Sequence, residues 1–269
     1  MNRKKITALV LAAAMVMPMG AAAVHADGSA VEAIKAAGEV VMTTNAEFEP
    51  FEYKDGEETV GIDCEIAEKI AEKLGVKLKI DDIDFDSLIP SLLAGKADFI
   101  AAGMTATDER RKNVDFSDNY FNASQTIIVK TDSDIAARED LNGKVVGVQQ
   151  GTTGDIYVTN EDGSGDITVK EVKRYHKGMD AVSDLMTGRL DAVVIDDFPA
   201  RKLVEKNPDK IKTLDEALTE ETYAIAVPQG SDLVDVINEV IKELNESGEM
   251  DEIVSKYITG EEEADSTAE

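Results

Sequence analysis

Short, mostly apolar runs at residues 40–43, 78–80, 99–102, 145–148, 192–195 and 223–227 recur along the chain, separated by segments whose apolar positions follow a helical period. Runs this short, with little polar alternation, suit strands buried on both faces. Their alternation with helices predicts an α/β architecture with largely parallel sheets. The clearest helix is predicted over residues 63–74. Ile62, Ile66, Ile70 and Leu74 make one stripe beside Ala67 and Ala71, Glu65 and Lys69 are spaced as a surface pair, and Gly75 is the stop. Cys64, at the edge of that stripe, reads as packing.

A weak internal repeat organises the rest. Residues 93–103 match residues 186–196 at an offset of 93: in each copy a helix ends at a Gly, a base and an acid follow, and a buried strand leads to Gly103 or Asp196. A second correspondence sets Val40, Val41, Met42, Thr43 and then Asn45 against Val145, Val146, Gly147, Val148 and then Gln150. Two similar α/β lobes are implied. Ligands of open α/β sheets sit beyond the carboxyl ends of the strands, so loops near residues 45–48, 102–110, 149–155 and 195–197 should converge on one cleft between the lobes.

The two ends of the chain differ from this pattern. Arg3, Lys4 and Lys5 precede an uncharged apolar run from residue 6 to 20 that contains Pro18, and small or short residues lead to Ala26. Residues 1–26 therefore read as a secretory signal peptide; retention as a membrane anchor is the alternative, because residues 6–24 are long enough to span a bilayer. No cysteine stands at the cleavage point, so a lipid anchor is not expected. Residues 259–269 are acidic, small and aperiodic, and are expected to be disordered.

Charge and composition then exclude whole classes. The chain carries 28 Lys+Arg against 55 Asp+Glu, a net charge of -27, and loss of the leader removes three bases and no acids, leaving -30. Such an excess repels phosphate backbones and anionic headgroups, so nucleic-acid binding and attachment through a basic patch are not expected. Cys64 is the single cysteine, and with only His25 and His176 as imidazoles neither a disulfide framework nor a thiolate and imidazole metal site is expected.

The four convergent loops carry the candidate chemistry. Arg110 follows a turn in which Thr107 or Asp108 can cap a short helix, and a guanidinium beside the Thr105 hydroxyl and free backbone donors is a receptor for a carboxylate. Gln150, Gly151, Thr152 and Thr153 follow a buried strand and are expected to open a helix, whose unpaired N–H groups hold a carboxylate or a phosphate equally well. Gly143, Gly147 and Gly151 lack the dinucleotide spacing, and no Walker lysine follows, so no nucleotide cofactor is expected. Asp196 and Asp197 end a core strand, where a carboxylate can accept an ammonium group or a pair of acids can serve metal binding or acid–base work. Phe48, Phe51, Tyr53 and Phe85 offer aromatic walls. An anion cradle, a cation acceptor and aromatic walls together suit a zwitterion.

With these motifs in view, the chain resembles the polar-amino-acid branch of the extracytoplasmic solute-binding proteins that serve ABC importers, from about Gly38 to Tyr257. The matching stretches are residues 47–53, 60–63, 85–90, 103–110, 114–117, 147–153 and 188–192, in the family's order. The resemblance implies a two-lobe, type II periplasmic-binding-protein fold crossed twice near residues 122–124 and 220–223. Residues 27–121 with 224–258 would form lobe 1, and residues 122–223 lobe 2 with the hinge segments. It further implies that Arg110 clamps the substrate α-carboxylate with Thr105 and the Thr153 backbone, that Asp196 and the Gly103 carbonyl take the α-ammonium group, and that Phe48 and Phe85 stack on the side chain. Asn45, Glu47, Met104, Gln150 and Thr152 complete the expected substrate-binding set.

Departures fall where the side chain is read. Asn45 stands where basic-amino-acid binders often carry Asp, Glu47 supplies a negative charge nearby, and Gln149 is polar without charge. The expected function is the substrate-binding component of an ABC importer for a basic or polar uncharged L-amino acid, acting as a monomer outside the cytoplasmic membrane with a membrane permease as partner. The alternatives are a dehydratase of a prephenate-like cyclic carboxylic acid on the same fold, which would recruit Asp196 or Asp197 as a general acid, and a ligand-sensing module that acts through a membrane partner.

Overall fold

A computed structural model describes residues 29–258 except 162 and 164. The expected signal peptide and acidic tail lie outside the described residues. The apolar runs become the strands of two five-stranded sheets with the same plan. In the first, strand Glu39–Thr44 pairs in parallel with Lys77–Asp82 on one side and Phe99–Ile100 on the other, followed by Ala226–Pro228 and Val114–Phe116. In the second, Val145–Gln149 lies between Glu171–Tyr175 and Ala192–Asp196, both parallel to it, followed by Gln125–Lys130 and Ile211–Thr213. The sequence repeat is thus a repeat of lobes, with Phe99–Ile100 and Ala192–Asp196 as equivalent third strands.

Each sheet also contains a strand that the apolar pattern did not predict as antiparallel. Ala226–Pro228 runs against both of its neighbours, as does Gln125–Lys130 in the other lobe. The cause is connectivity. Both strands follow a crossing from the opposite lobe, so no βαβ unit dictates their direction. The predicted run 223–227 is divided accordingly: Tyr223 ends strand Glu221–Tyr223, which pairs antiparallel with Phe121–Ala123, and the first-lobe strand starts only at Ala226. This two-stranded ribbon carries both crossings between the lobes. The fold is of the type II periplasmic-binding-protein class, with a cleft between the lobes.

The predicted helix spans Ile62–Leu74, and Ile62, Ile66, Ala67 and Ile70 are wholly buried. Gly75 ends it in the left-handed conformation, φ 73°, where a residue without Cβ costs least. Cys64 is buried in the same core. Glu65 and Lys69 do not pair with each other as predicted. The C-terminal helix Glu249–Ile258 offers each a closer partner: Glu65 takes Lys256 and Tyr257, and Lys69 takes Glu249 at 2.5 Å. Helix Leu233–Ser247 presents Leu233, Ile237, Val240, Ile241 and Leu244 to the same core.

Candidate functional site

Arg110 is placed by a four-residue helix, Asp108–Arg111, that Thr107 caps by accepting the Arg110 N–H at 3.2 Å. Its guanidinium is buried, donates to the Thr105 carbonyl at 2.7 Å and, across the cleft, to the Gly151 carbonyl at 3.0 Å, and lies 5.3 Å from the centre of the Phe85 ring. Burial lowers its pKa to about 10, while the charges of Glu221 and Asp196 oppose that shift. The group stays cationic at neutral pH. It lines the cavity between the lobes.

From the second lobe, Thr152 caps helix Thr153–Thr159 by accepting the Asp155 N–H at 3.3 Å. The Thr105 and Thr153 hydroxyls, one from each lobe, both donate to Glu221 Oε2, at 2.7 and 2.8 Å. Thr219 donates to the other Glu221 oxygen at 2.8 Å. Asp196 ends its strand fully enclosed, accepting the Tyr223 hydroxyl at 2.5 Å. Burial first, then the Glu221 charge, pushes its carboxyl up to about 7. Asp197 turns elsewhere, to an ion pair with Arg201 at 3.2 Å and a separate, polar cavity of the second lobe. The two adjacent acids therefore do not act as one pair.

These groups wall a narrow cavity between the lobes, lined by Asn45, Phe48, Phe85, Gly103, Thr105, Arg110, Thr152, Thr153 and Asp196 from the expected set. Gly103, at φ 49°, lies so near Phe48 that a Cβ there would fall 2.6 Å from the ring. Asn45 accepts from Gln149 Nε2 across the cleft at 2.8 Å and donates to the Ile83 carbonyl.

Three expected residues lie outside this wall. Glu47 pairs with Lys177 of the opposite lobe, Met104 is packed into the first-lobe core, and Gln150 donates to Asp86 at 2.8 Å. Each is displaced for a local reason: a nearer cation, the inward turn of the strand end, and a carboxylate facing it across the seam.

The wall also holds residues that the sequence reading left out of the set, Gln149, Ala102 and Glu52. Glu52 is 1 % exposed, and its carboxyl shares a hydrogen bond with the second buried acid, Asp63. Burial, reinforced by Asp63 and Asp196, raises its pKa well above the ordinary carboxyl value. Asp63 behind it is held by the Gly103 N–H and the Tyr120 hydroxyl, both at 2.8 Å, and burial still lifts it to about 6. Glu52 had one sequence signal, an acid in the aromatic stretch 47–53 where strand alternation turns it inward. Glu221 had none, since its role depends on two lobes meeting.

Comparison with known proteins gives this geometry its relatives. Residues 40–260 match the model of the bacterial extracellular solute-binding proteins, family 3. The chain is 38% identical over 227 residues to the arginine-binding extracellular protein of Bacillus subtilis (strain 168), covering 82% of this chain and 87% of that one. A crystal structure of a mutant of ArgBP from T. maritima superposes with a TM-score of 0.79 at 46% identity, covering 85% of this chain and 99% of that one. The crystal structure of an ancestral amino acid-binding protein, a precursor of cyclohexadienyl dehydratase, superposes with a TM-score of 0.78 at 31% identity, covering 86% and 100%.

Proposed function

The chain belongs to the bacterial extracellular solute-binding proteins, family 3, and on that premise we propose that it captures a cationic L-amino acid of the arginine class and presents it to a membrane permease. One observation carries the choice of a cationic side chain: Glu52, an enclosed carboxyl set against a second buried acid, Asp63, lines the same cavity as Arg110. Two buried acids held against each other resist ionisation, and a guanidinium or ammonium arriving there pairs with the charged form and favours it. The arginine-binding names of the Bacillus and T. maritima relatives support the same class.

In this reading the α-carboxylate replaces the carbonyl partners of Arg110 and meets the Thr105 and Thr153 hydroxyls. The α-ammonium group goes to Asp196 and the Gly103 carbonyl, and the cationic end of the side chain goes to Glu52. Phe48 and Phe85 cover its aliphatic part. Desolvating so many charges is costly unless each finds a partner. An open cleft lets the hydrated ligand enter, and closure supplies contacts from both lobes that the open form lacks, so the difference in affinity drives closure. The dehydratase reading has less support: the ancestral neighbour is itself named for binding amino acids.

Calorimetry on the chain freed of residues 1–26, with L-arginine, L-lysine, L-histidine, L-glutamine and L-cystine, tests the reading. Arginine is expected to bind most tightly. Arg110→Ala should lose at least 100-fold for every ligand, and Glu52→Gln at least tenfold for arginine while sparing glutamine. Tight glutamine binding with no heat from arginine would overturn the cationic assignment.

A further inference from the structure

At the mouth of the cleft, outside the cavity, two acids of the first lobe meet the one histidine of the second. Asp84 and Asp86 flank Phe85 at the first turn after strand Lys77–Asp82, and His176 follows strand Glu171–Tyr175. One ligand-type atom from each lies within 4.8 Å of the other two. His176 Nδ1 stands 3.4 Å from Asp84 Oδ2, and the pair does not form a hydrogen bond of good geometry. We propose that Asp84, Asp86 and His176 form a divalent-metal site, of the Zn²⁺ class, that clamps the closed lobes together.

The donor set fits such an ion. Imidazole nitrogen and carboxylate oxygen both bind zinc at about 2.0–2.1 Å, which in a tetrahedral site separates neighbouring ligands by about 3.3 Å. The Nδ1 to Oδ2 separation matches one such edge as it stands. Two carboxylates and a neutral imidazole balance a dication and leave a fourth position for water. Among the described residues, the neighbouring cations are already engaged. Lys177, next to His176 in the chain, is engaged with Glu47, and the Arg110 donors go to the Thr105 and Gly151 carbonyls.

Asp86 is held at the seam: its Oδ2 accepts the Gln150 Nε2 at 2.8 Å, and its Cβ would lie 3.3 Å from a Cβ built on Gly151. His176 is positioned by its own backbone carbonyl, which accepts Gln149 Nε2 at 3.0 Å. His176 and Asp84 keep 65% and 47% of their side-chain surfaces exposed, so an ion reaches them without the lobes parting. The ligands come from opposite lobes, so opening dismantles the site. Metal and amino acid thus favour the same closed state, and each raises the affinity of the other by the same factor.

The sequence offers no site of thiolate and imidazole ligands; this one takes its carboxylates from the lobe opposite the imidazole. The test is Zn²⁺ titration of the untagged protein by calorimetry, first with no amino acid. One Zn²⁺ per chain is expected to bind, with at least a tenfold loss in His176→Ala and in Asp84→Asn, whose thermal melting without metal should match the parent. Equal Zn²⁺ affinity in parent and His176→Ala would overturn the site, since the ion would then be held by carboxylates elsewhere. This arm needs no cargo, so it stands or falls apart from the arginine assignment. A second titration with saturating L-arginine should tighten Zn²⁺ binding severalfold, and Zn²⁺ should tighten arginine equally; unchanged Zn²⁺ affinity with arginine bound would overturn the clamp.

Discussion

At the scale of single residues, the enclosed acids govern how this protein responds to pH. Glu52 is raised above its ordinary value of 4.5 by burial and by Asp63 and Asp196. The folded protein therefore holds its proton at pH values where the unfolded chain has released it. Stability must fall as pH rises above 4.5, by at most about 1.4 kcal/mol per pH unit for this one group, until the folded carboxyl itself ionises. Glu52→Gln resembles the neutral acid and lacks that loss. Urea unfolding should show the variant gaining on the parent between pH 5 and pH 8, and parallel curves would contradict a protonated Glu52. Binding is linked in the same way: a cationic side chain beside Glu52 favours its ionised form, so arginine uptake should release protons. Calorimetry in buffers of different ionisation enthalpy reads that number directly.

At the scale of elements, helix Ile62–Leu74 was the most legible part of the sequence, because an apolar stripe and a terminal glycine are local signals. Its burial makes Ile70→Ala a cavity-forming change expected to cost about 2–5 kcal/mol, read as a lower urea midpoint with an unchanged slope. Its surface charges were misread, because the partners of Glu65 and Lys69 come from a helix nearly two hundred residues away. The crossing ribbon teaches the same lesson. Strand Glu221–Tyr223 delivers Glu221 to hydroxyls from both lobes, a position that no local pattern marks. Glu221→Ala is expected to free the Thr105 and Thr153 hydroxyls and change ligand affinity at least fivefold, while thermal melting of the empty protein moves by only a few degrees. Unchanged affinity would reduce Glu221 to a structural tether.

At the scale of the whole molecule, closure is held by side-chain contacts that cross the seam between the lobes. Gln149 with Asn45, Gln150 with Asp86, Lys177 with Glu47 and Lys206 with Glu49 each join one lobe to the other. Lys206 has 61% of its side chain exposed, and an ion pair of that kind contributes little. Lys177 is less exposed than Lys206, at 45%, so Glu47→Gln should shift the empty protein toward the open form and weaken arginine binding two- to tenfold. Small-angle scattering should register a larger radius of gyration without ligand, and the parent value once arginine saturates. The family, the two-lobe plan and most cavity residues were already legible in the chain, because buried strands, helix stripes and loop motifs are properties of contiguous residues. What each charged group meets across the cleft was decided only in three dimensions. Glu47 turned from a candidate ligand contact into a closing pair, Glu52 emerged as the enclosed acid, and Asp84, Asp86 and His176 came together, because Coulomb and hydrogen-bond energies act over a few ångströms of space whatever the separation along the chain.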